Sequence, residues 1–214
     1  MALGLLSCVV LLAACGGGST KPVVWPMLRA SWLVPAPHGF GPLSADAQAF
    51  ARQTGAALNG VETIQQAAKT LPVQDNVQTL KKAGWTSEVE ETWSPTVSPP
   101  SNDISTFLGV KVAQFDSEAQ ASALQQRVVS GYSVPASVGI PGFVPPKTSS
   151  MPQIPGAVEI FGSNSGSETV NIVYVRGPYF VATYGLTTST SKVKPLRAVA
   201  TAVAVDQYKR LPRS

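Results

Sequence analysis

The 214-residue sequence has few of the residue types that carry most enzyme chemistry. It holds two cysteines, Cys8 and Cys15, and none after them. Whatever folds downstream therefore lacks a disulfide, a thiolate nucleophile and a cysteine metal ligand. It holds one histidine, His38, among Pro35, Pro37, Gly39 and Gly41. A His-based zinc centre cannot be built from one imidazole. A Ser-His-Asp arrangement would have to recruit His38 from a linker-like stretch. Charged residues make up only 13% of the chain, and the first twenty positions carry none. There is no Gly-rich phosphate loop and no set of carboxylates at metal-ligand spacing, so no cofactor is expected. No apolar run reaches the ~20 residues that span a bilayer.

What remains is a chain that can fold. Apolar residues make up 44%, enough to bury a core. The net charge of +4 and pI of 9.2 suggest weak attraction to an anionic membrane or wall. The basic residues are scattered apart from Lys209, Arg210 and Arg213, which suit a helix C-terminus. Nothing interleaves basic and aromatic residues as nucleic-acid binders do, so no nucleic-acid partner is expected.

Leu3 to Ala14 is an apolar run with the length of a signal-peptide core. It ends in Leu12-Ala13-Ala14-Cys15, followed by Gly16-Gly17-Gly18-Ser19-Thr20. Ala13 and Ala14 are small enough for a peptidase cleft, and the Cys15 thiol can carry diacylglycerol through a thioether. A buried N-terminal helix is the competing reading, but three glycines neither continue a helix nor pack. The stretch resembles the lipobox of bacterial lipoprotein signal peptides. The resemblance implies cleavage between Ala14 and Cys15 and acylation at Cys15 with chains such as palmitate. It places the chain on the outer face of the cell membrane, with the membrane as partner. Each buried methylene adds about 0.8 kcal/mol, so two or three chains hold far more firmly than one. Met1-Ala2-Leu3 lacks the usual Lys or Arg, which predicts a translation start farther upstream.

Residues 1–14 thus read as signal peptide, 15–43 as a lipidated Gly/Pro-rich tether and lead-in, and 44–211 as a single domain. Removing residues 1–14 leaves 200, which suits one domain plus a tether. Trp25, Met27, Leu28, Trp32, Leu33 and Phe40 predict that the lead-in packs against the domain. Helices are predicted across 44–83. The first is Ser44–Leu58. The second is capped by Asn59 with Glu62 three residues on, and carries Val61, Ile64, Ala68 and Leu71. The third is capped by Asp75 and closed by Gly84.

A ββα unit spans 85–131. In its first strand Trp85, Val89 and Trp93 share one face, and Glu88, Glu90 and Thr92 the other. A solvated face explains those carboxylates, with Glu91, better than an acid–base pair does. Ile104 to Phe115 is apolar on both faces and is predicted to be central. Ser117 and Gln120 cap the helix that ends by Gly131. A loop covers 132–156 and a βββα unit 157–211, with strands Ala157–Phe161, Thr169–Val175 and Tyr179–Gly185. Pro195 sits in the first turn of a largely buried helix, Leu196–Leu211. Strand then helix occurs twice, at Leu108–Gly131 and Tyr179–Leu211, a weak sign of duplication. The predicted class is α+β: an antiparallel sheet of about five strands with helices on one face, preceded by an N-terminal helical segment.

Leu28-Arg29-Ala30-Ser31-Trp32-Leu33-Val34-Pro35 with His38-Gly39-Phe40, Leu80 to Trp93, and Val170 to Gly185 are similar to actinobacterial lipoproteins of uncharacterised function. The similarity is one of element types and implies no catalytic residue. The leading functional reading is a non-enzymatic envelope module that binds a ligand or an envelope protein partner. Loop 132–156 is too apolar for a linker. Its Ile140, Phe143 and Val144 are expected to fold over Trp85 and Trp93 or the Tyr174–Tyr179 hairpin, forming a groove for an acyl chain or other lipid. A loop that merely patches the surface competes with that idea. An extracytoplasmic hydrolase or transferase is the second reading, with Asp103, Asp116, Glu159 and Glu168 at strand ends. A structural wall-associated protein is the third. No catalytic or metal residue is assigned.

Overall fold

The computed structural model describes residues 25–43, 48, 59–70, 77–96, 106–132, 145–164, 166–188 and 192–213. Among them eight strands form one antiparallel sheet. These are β1 (Phe40–Pro42), β2 (Asn59–Glu62), β3 (Trp85–Pro95), β4 (Thr106–Phe115), β5 (Lys147–Ser150), β6 (Val158–Asn164), β7 (Ser167–Arg176) and β8 (Tyr179–Thr187). The spatial order is β1-β3-β4-β8-β7-β6-β5, and β2 also pairs with β3. The α+β class is as expected, but the sheet has eight strands rather than about five. The additional ones are short. Three or four residues do not establish an alternation, and β5 (Lys-Thr-Ser-Ser) has no apolar residue and is exposed throughout.

The helices are α1 (Ile64–Thr70), α2 (Val77–Lys82), α3 (Glu118–Tyr132) and α4 (Val193–Arg210). The expected helix 44–58 lies outside the described residues except for Gln48. Asn59 and Glu62 do not cap a helix; they belong to β2. The capping box is Thr63–Gln66: the Thr63 hydroxyl accepts from the Gln66 N–H at 3.3 Å, and Gln66 Oε1 accepts from the Thr63 N–H at 2.9 Å. The Ser117–Gln120 cap forms as read, with the Ser117 hydroxyl accepting from the Gln120 N–H at 3.3 Å.

The helices cover both faces of the sheet, not one. On face one, Leu196, Ala200, Val203 and Ala204 of α4 pack on Val110, Ile172 and Val181. On face two, Leu124 and Val128 of α3 pack with Phe115, Val173 and Phe180, joined by Ala67 of α1 and Leu80 of α2. Two layers are needed because β4 and β8 are buried along almost their whole length on both sides. The placement also bears on duplication. β4 and β8 are antiparallel neighbours, and a duplication about their shared axis would put α3 and α4 on the same face. They lie on opposite faces. Nor is α4 buried all round, since Ala198 and Ala202 are exposed.

The lead-in crosses face one and buries Leu28, Leu33 and Val34. Two glutamines satisfy its backbone. The Leu28 N–H donates to Gln114 Oε1 at 2.7 Å, and Gln114 Nε2 donates to the Pro26 carbonyl at 3.1 Å. The Val34 N–H donates to Gln207 Oε1 at 3.0 Å, and Gln207 Nε2 donates to the Trp32 carbonyl at 3.1 Å. A segment with one 3-10 turn, Ala30–Trp32, and no strand partners around it needs such bonds once it is buried. From the expected 132–156 loop, Met151 and Ile154 enter the same core.

Candidate functional site

Glu88 and Glu90, assigned to a solvated face, are buried, while Glu91 is half-buried. Register places Glu90 opposite Lys111, Glu88 opposite Ala113, Thr92 opposite Gly109 and Glu62 opposite Glu88. Tyr184 stands on the other side of Gly109. All of these residues belong to face two. Lys111 Nζ lies 3.0 Å from Glu88, 3.1 Å from Glu90 and 3.5 Å from Glu62, and none of the four side chains is more than 7% exposed. The Tyr184 hydroxyl donates to Glu90 and lies 2.7 Å from Thr92 Oγ1. Its ring lies across Gly109, where a Cβ would come within 2.3 Å of it. Glycine at 109 is thus what lets the tyrosine reach the carboxylate.

Desolvation is the largest influence on Glu90. It pushes the carboxyl up to about 8, against the pull of Lys111 and with help from Glu62. Burial also raises Glu62, which hydrogen-bonds Glu90. Burial alone would lower Lys111, but the three carboxylates, led by Glu88, outweigh it and hold the ammonium above its usual range. Burial thus favours the protonated form of the Glu62–Glu90 pair, which reduces the excess negative charge around one ammonium. The groups are of acid–base type, but they are sealed. Lys111 sits where a cation would sit, and among the described residues no cluster of His, Cys, Asp or Glu is placed to hold a metal ion. The sequence signal for this core was Lys111 itself, a charge in a central strand apolar on both faces. It required a buried partner.

A second feature is an open cleft of about 660 Å³ where the β7–β8 turn, the start of α3 and the end of α4 converge. Trp25, Gln125, Gly156, Arg176, Tyr208 and Arg213 are among its lining residues. The Arg176 guanidinium stacks 4.4 Å from the Tyr208 ring centroid and donates to the Tyr208 carbonyl. Gln125 Nε2 is fixed by the Gly156 carbonyl at 2.8 Å and the Val173 carbonyl at 3.2 Å. Trp25 meets Tyr179 edge-on at 5.9 Å. It also lies over Gly177, whose φ of +56° only glycine adopts readily. Such walls suit a ligand that combines an anionic group with a planar or apolar part.

Of the expected groove residues that are described, Trp93, Tyr174 and Tyr179 share the face-one core and Trp85 lies apart from them. Trp93 is buried on face one, whereas Trp85 packs on face two. A bulge at Thr86, where Trp85 pairs with Phe115 and Ser87 with Gln114, turns Trp85 over. Tyr174 and Tyr179 are fully buried, and their hydroxyls donate to the Ala204 carbonyl at 3.1 Å and the Pro26 carbonyl at 2.6 Å. α4 and the lead-in thus occupy the space above that hairpin. Ile140, Phe143 and Val144 lie outside the described residues, as do Ala14, Cys15 and Asp103. Of the other carboxylates, Asp116 is exposed, and Glu159 and Glu168 stand at opposite ends of the β6–β7 ladder. His38 is exposed in the turn before β1.

No protein-family model matches the chain, and no curated protein matches its sequence. Among solved structures, the extracellular domain of PknH from Mycobacterium tuberculosis is similar at a TM-score of 0.43 and 11% identity, over 72% of this chain and 80% of that one. That likeness is too distant to carry a role across.

Proposed function

We propose that this chain is a lipid-anchored extracytoplasmic lipoprotein whose domain is a non-enzymatic binding module, with the cleft beside Arg176 as its binding site. The anchor rests on Leu12-Ala13-Ala14-Cys15 and the glycines after it. No helix among the described residues is long and apolar enough to cross a membrane. One observation favours binding over catalysis: the acid–base groups are sealed inside the sheet, while the open cleft presents Trp25, Arg176 and Arg213. The ligand class is a small molecule with an anionic group beside an apolar or planar part.

The test is native mass spectrometry of protein taken from its own membrane. It should show diacylglycerol on Cys15 and a retained ligand, and Arg213→Ser should lose that ligand while keeping the anchor. An unmodified Cys15 would sink the anchor. A ligand retained equally by Arg213→Ser and Arg176→Ala would sink the cleft as its site.

A hydrolase or transferase remains the second reading because one observation favours it. Glu90, pushed up to about 8 beside Tyr184 and Lys111, has the character of a proton-transfer group. Its burial argues against substrate access. An extracytoplasmic hydrolytic activity abolished by Glu90→Gln, with the melting temperature kept, would reverse the order of the two readings.

A further inference from the structure

We infer that the domain also docks directly on the anionic phospholipid surface of the membrane that carries it, through a patch made by the lead-in and the end of α4. This rests on the anchor reading but not on the cleft holding a ligand. Met27 is 77% exposed, one of two strongly exposed large apolar side chains among the described residues. It sits beside the exposed Pro26 and the half-buried Trp25, and Arg29 is exposed two positions on. The end of α4 meets this segment directly, since Arg210 Nη1 donates to the Leu33 carbonyl at 3.3 Å. Lys209, Arg210 and Arg213 are exposed there, and Arg213 lines the same cleft as Trp25 and Arg176. The acidic groups facing them are Asp206, 3.2 Å from Lys209, and Glu118 across the cleft. The patch therefore keeps a basic excess around an apolar tip, the combination that seats a protein at a lipid interface.

Chain length brings the patch to the membrane. Trp25 lies ten residue steps from Cys15, and that length reaches at most about 35 Å even when fully extended. Docking is then intramolecular, and the tether adds to whatever affinity the patch has by itself. Each basic residue near an anionic leaflet strengthens association about fivefold.

The test uses the lipoprotein isolated from its own membrane, with Cys15 checked by mass spectrometry. It is reconstituted in vesicles with brominated acyl chains, either of phosphatidylcholine or of an equimolar mixture with phosphatidylglycerol. Tryptophan quenching should be strong in the anionic vesicles. It should be lost in phosphatidylcholine, in high salt and on Arg29→Glu with Arg213→Glu. Met27→Ser should reduce it without shifting the melting temperature, which separates docking from misfolding. Equal quenching in both lipids, or none in the anionic vesicles, would overturn docking while leaving the anchor intact. If Cys15 proves unmodified, the anchor fails, and sedimentation with the same vesicles decides docking. Enrichment on anionic vesicles upholds the patch, and no enrichment overturns it.

Discussion

Two carboxylate–cation contacts on opposite faces of the sheet behave in opposite ways. On face one, Glu159 of β6 takes a two-pronged contact from Arg197 of α4, at 2.5 and 2.6 Å, plus the Ser149 hydroxyl at 3.2 Å. Those bonds, Arg197 first, hold its carboxyl below the usual range against the opposing effect of burial. On face two, Glu90 also has a cation in contact, at 3.1 Å, yet burial raises it to about 8. The difference lies in stoichiometry and solvent. Glu159 has a guanidinium to itself, and that guanidinium is half exposed. Glu90 shares one buried ammonium with Glu62 and Glu88. Proximity of opposite charge therefore does not fix the direction in which a carboxyl titrates. The depth of burial does first, and the ratio of charges inside the dry region second.

The largest effect expected from this contrast is at Lys111. Lys111→Met removes the ammonium and strands three buried carboxyls. The cost should be about 3–5 kcal/mol, read by urea denaturation at neutral pH. The loss should shrink at acid pH, where those carboxyls take up protons. A variant as stable as the parent at neutral pH would show that Lys111 does not balance the cluster.

A smaller effect sharpens the sign. A protonated Glu90 contributes stability fully present below its unfolded value of 4.5 and lost as pH rises through about 8. The melting temperature of the parent should accordingly fall between those limits. Gln at 90 keeps a donor for Glu62 and an acceptor for Tyr184 but does not titrate. Glu90→Gln should match the parent near pH 5 and exceed it above pH 8, as scanning calorimetry across pH would show. An unchanged pH profile would mean that Glu90 does not govern it.

The smallest effect is at the solvated contact. Arg197→Ala should cost about 1 kcal/mol or less, because half of that side chain already faces water. Glu159 is depressed, so the contribution is present above the usual carboxyl pKa and lost as pH falls through the folded value. The gap between parent and variant should close in acid. A gap that widened there would contradict the assignment.

Sequence periodicity revealed the long elements and missed the short strands. β4 was legible as central because both of its faces are apolar. β2 was misread because Asn59 and Glu62 imitate a capping box, while the true cap, Thr63 with Gln66, begins just beyond. Trp85 was put on the wrong face because a one-residue bulge leaves no mark in an alternating pattern. Glu88 and Glu90 alternate with apolar residues as a wet face does, so β3 alone could not show them buried. The cue was on another strand, at Lys111, and reading it requires the register between the two. The cleft was not legible at all. It is assembled from Trp25, Gln125, Arg176 and Arg213, which are far apart in the chain.

The lead-in also has a mechanical consequence. Its bonds to the domain come in chain order: Pro26 to Gln114 and Tyr179, Leu28 to Gln114, Trp32 and Val34 to Gln207. A pull on the chain ahead of Trp25, opposed by anything the domain holds, loads these bonds one after another rather than together. The segment then peels at low force, while the long ladders of β4, β8 and β7 bear little of the load. It would work as a fuse, lengthening the leash under tension and resetting when the tension drops.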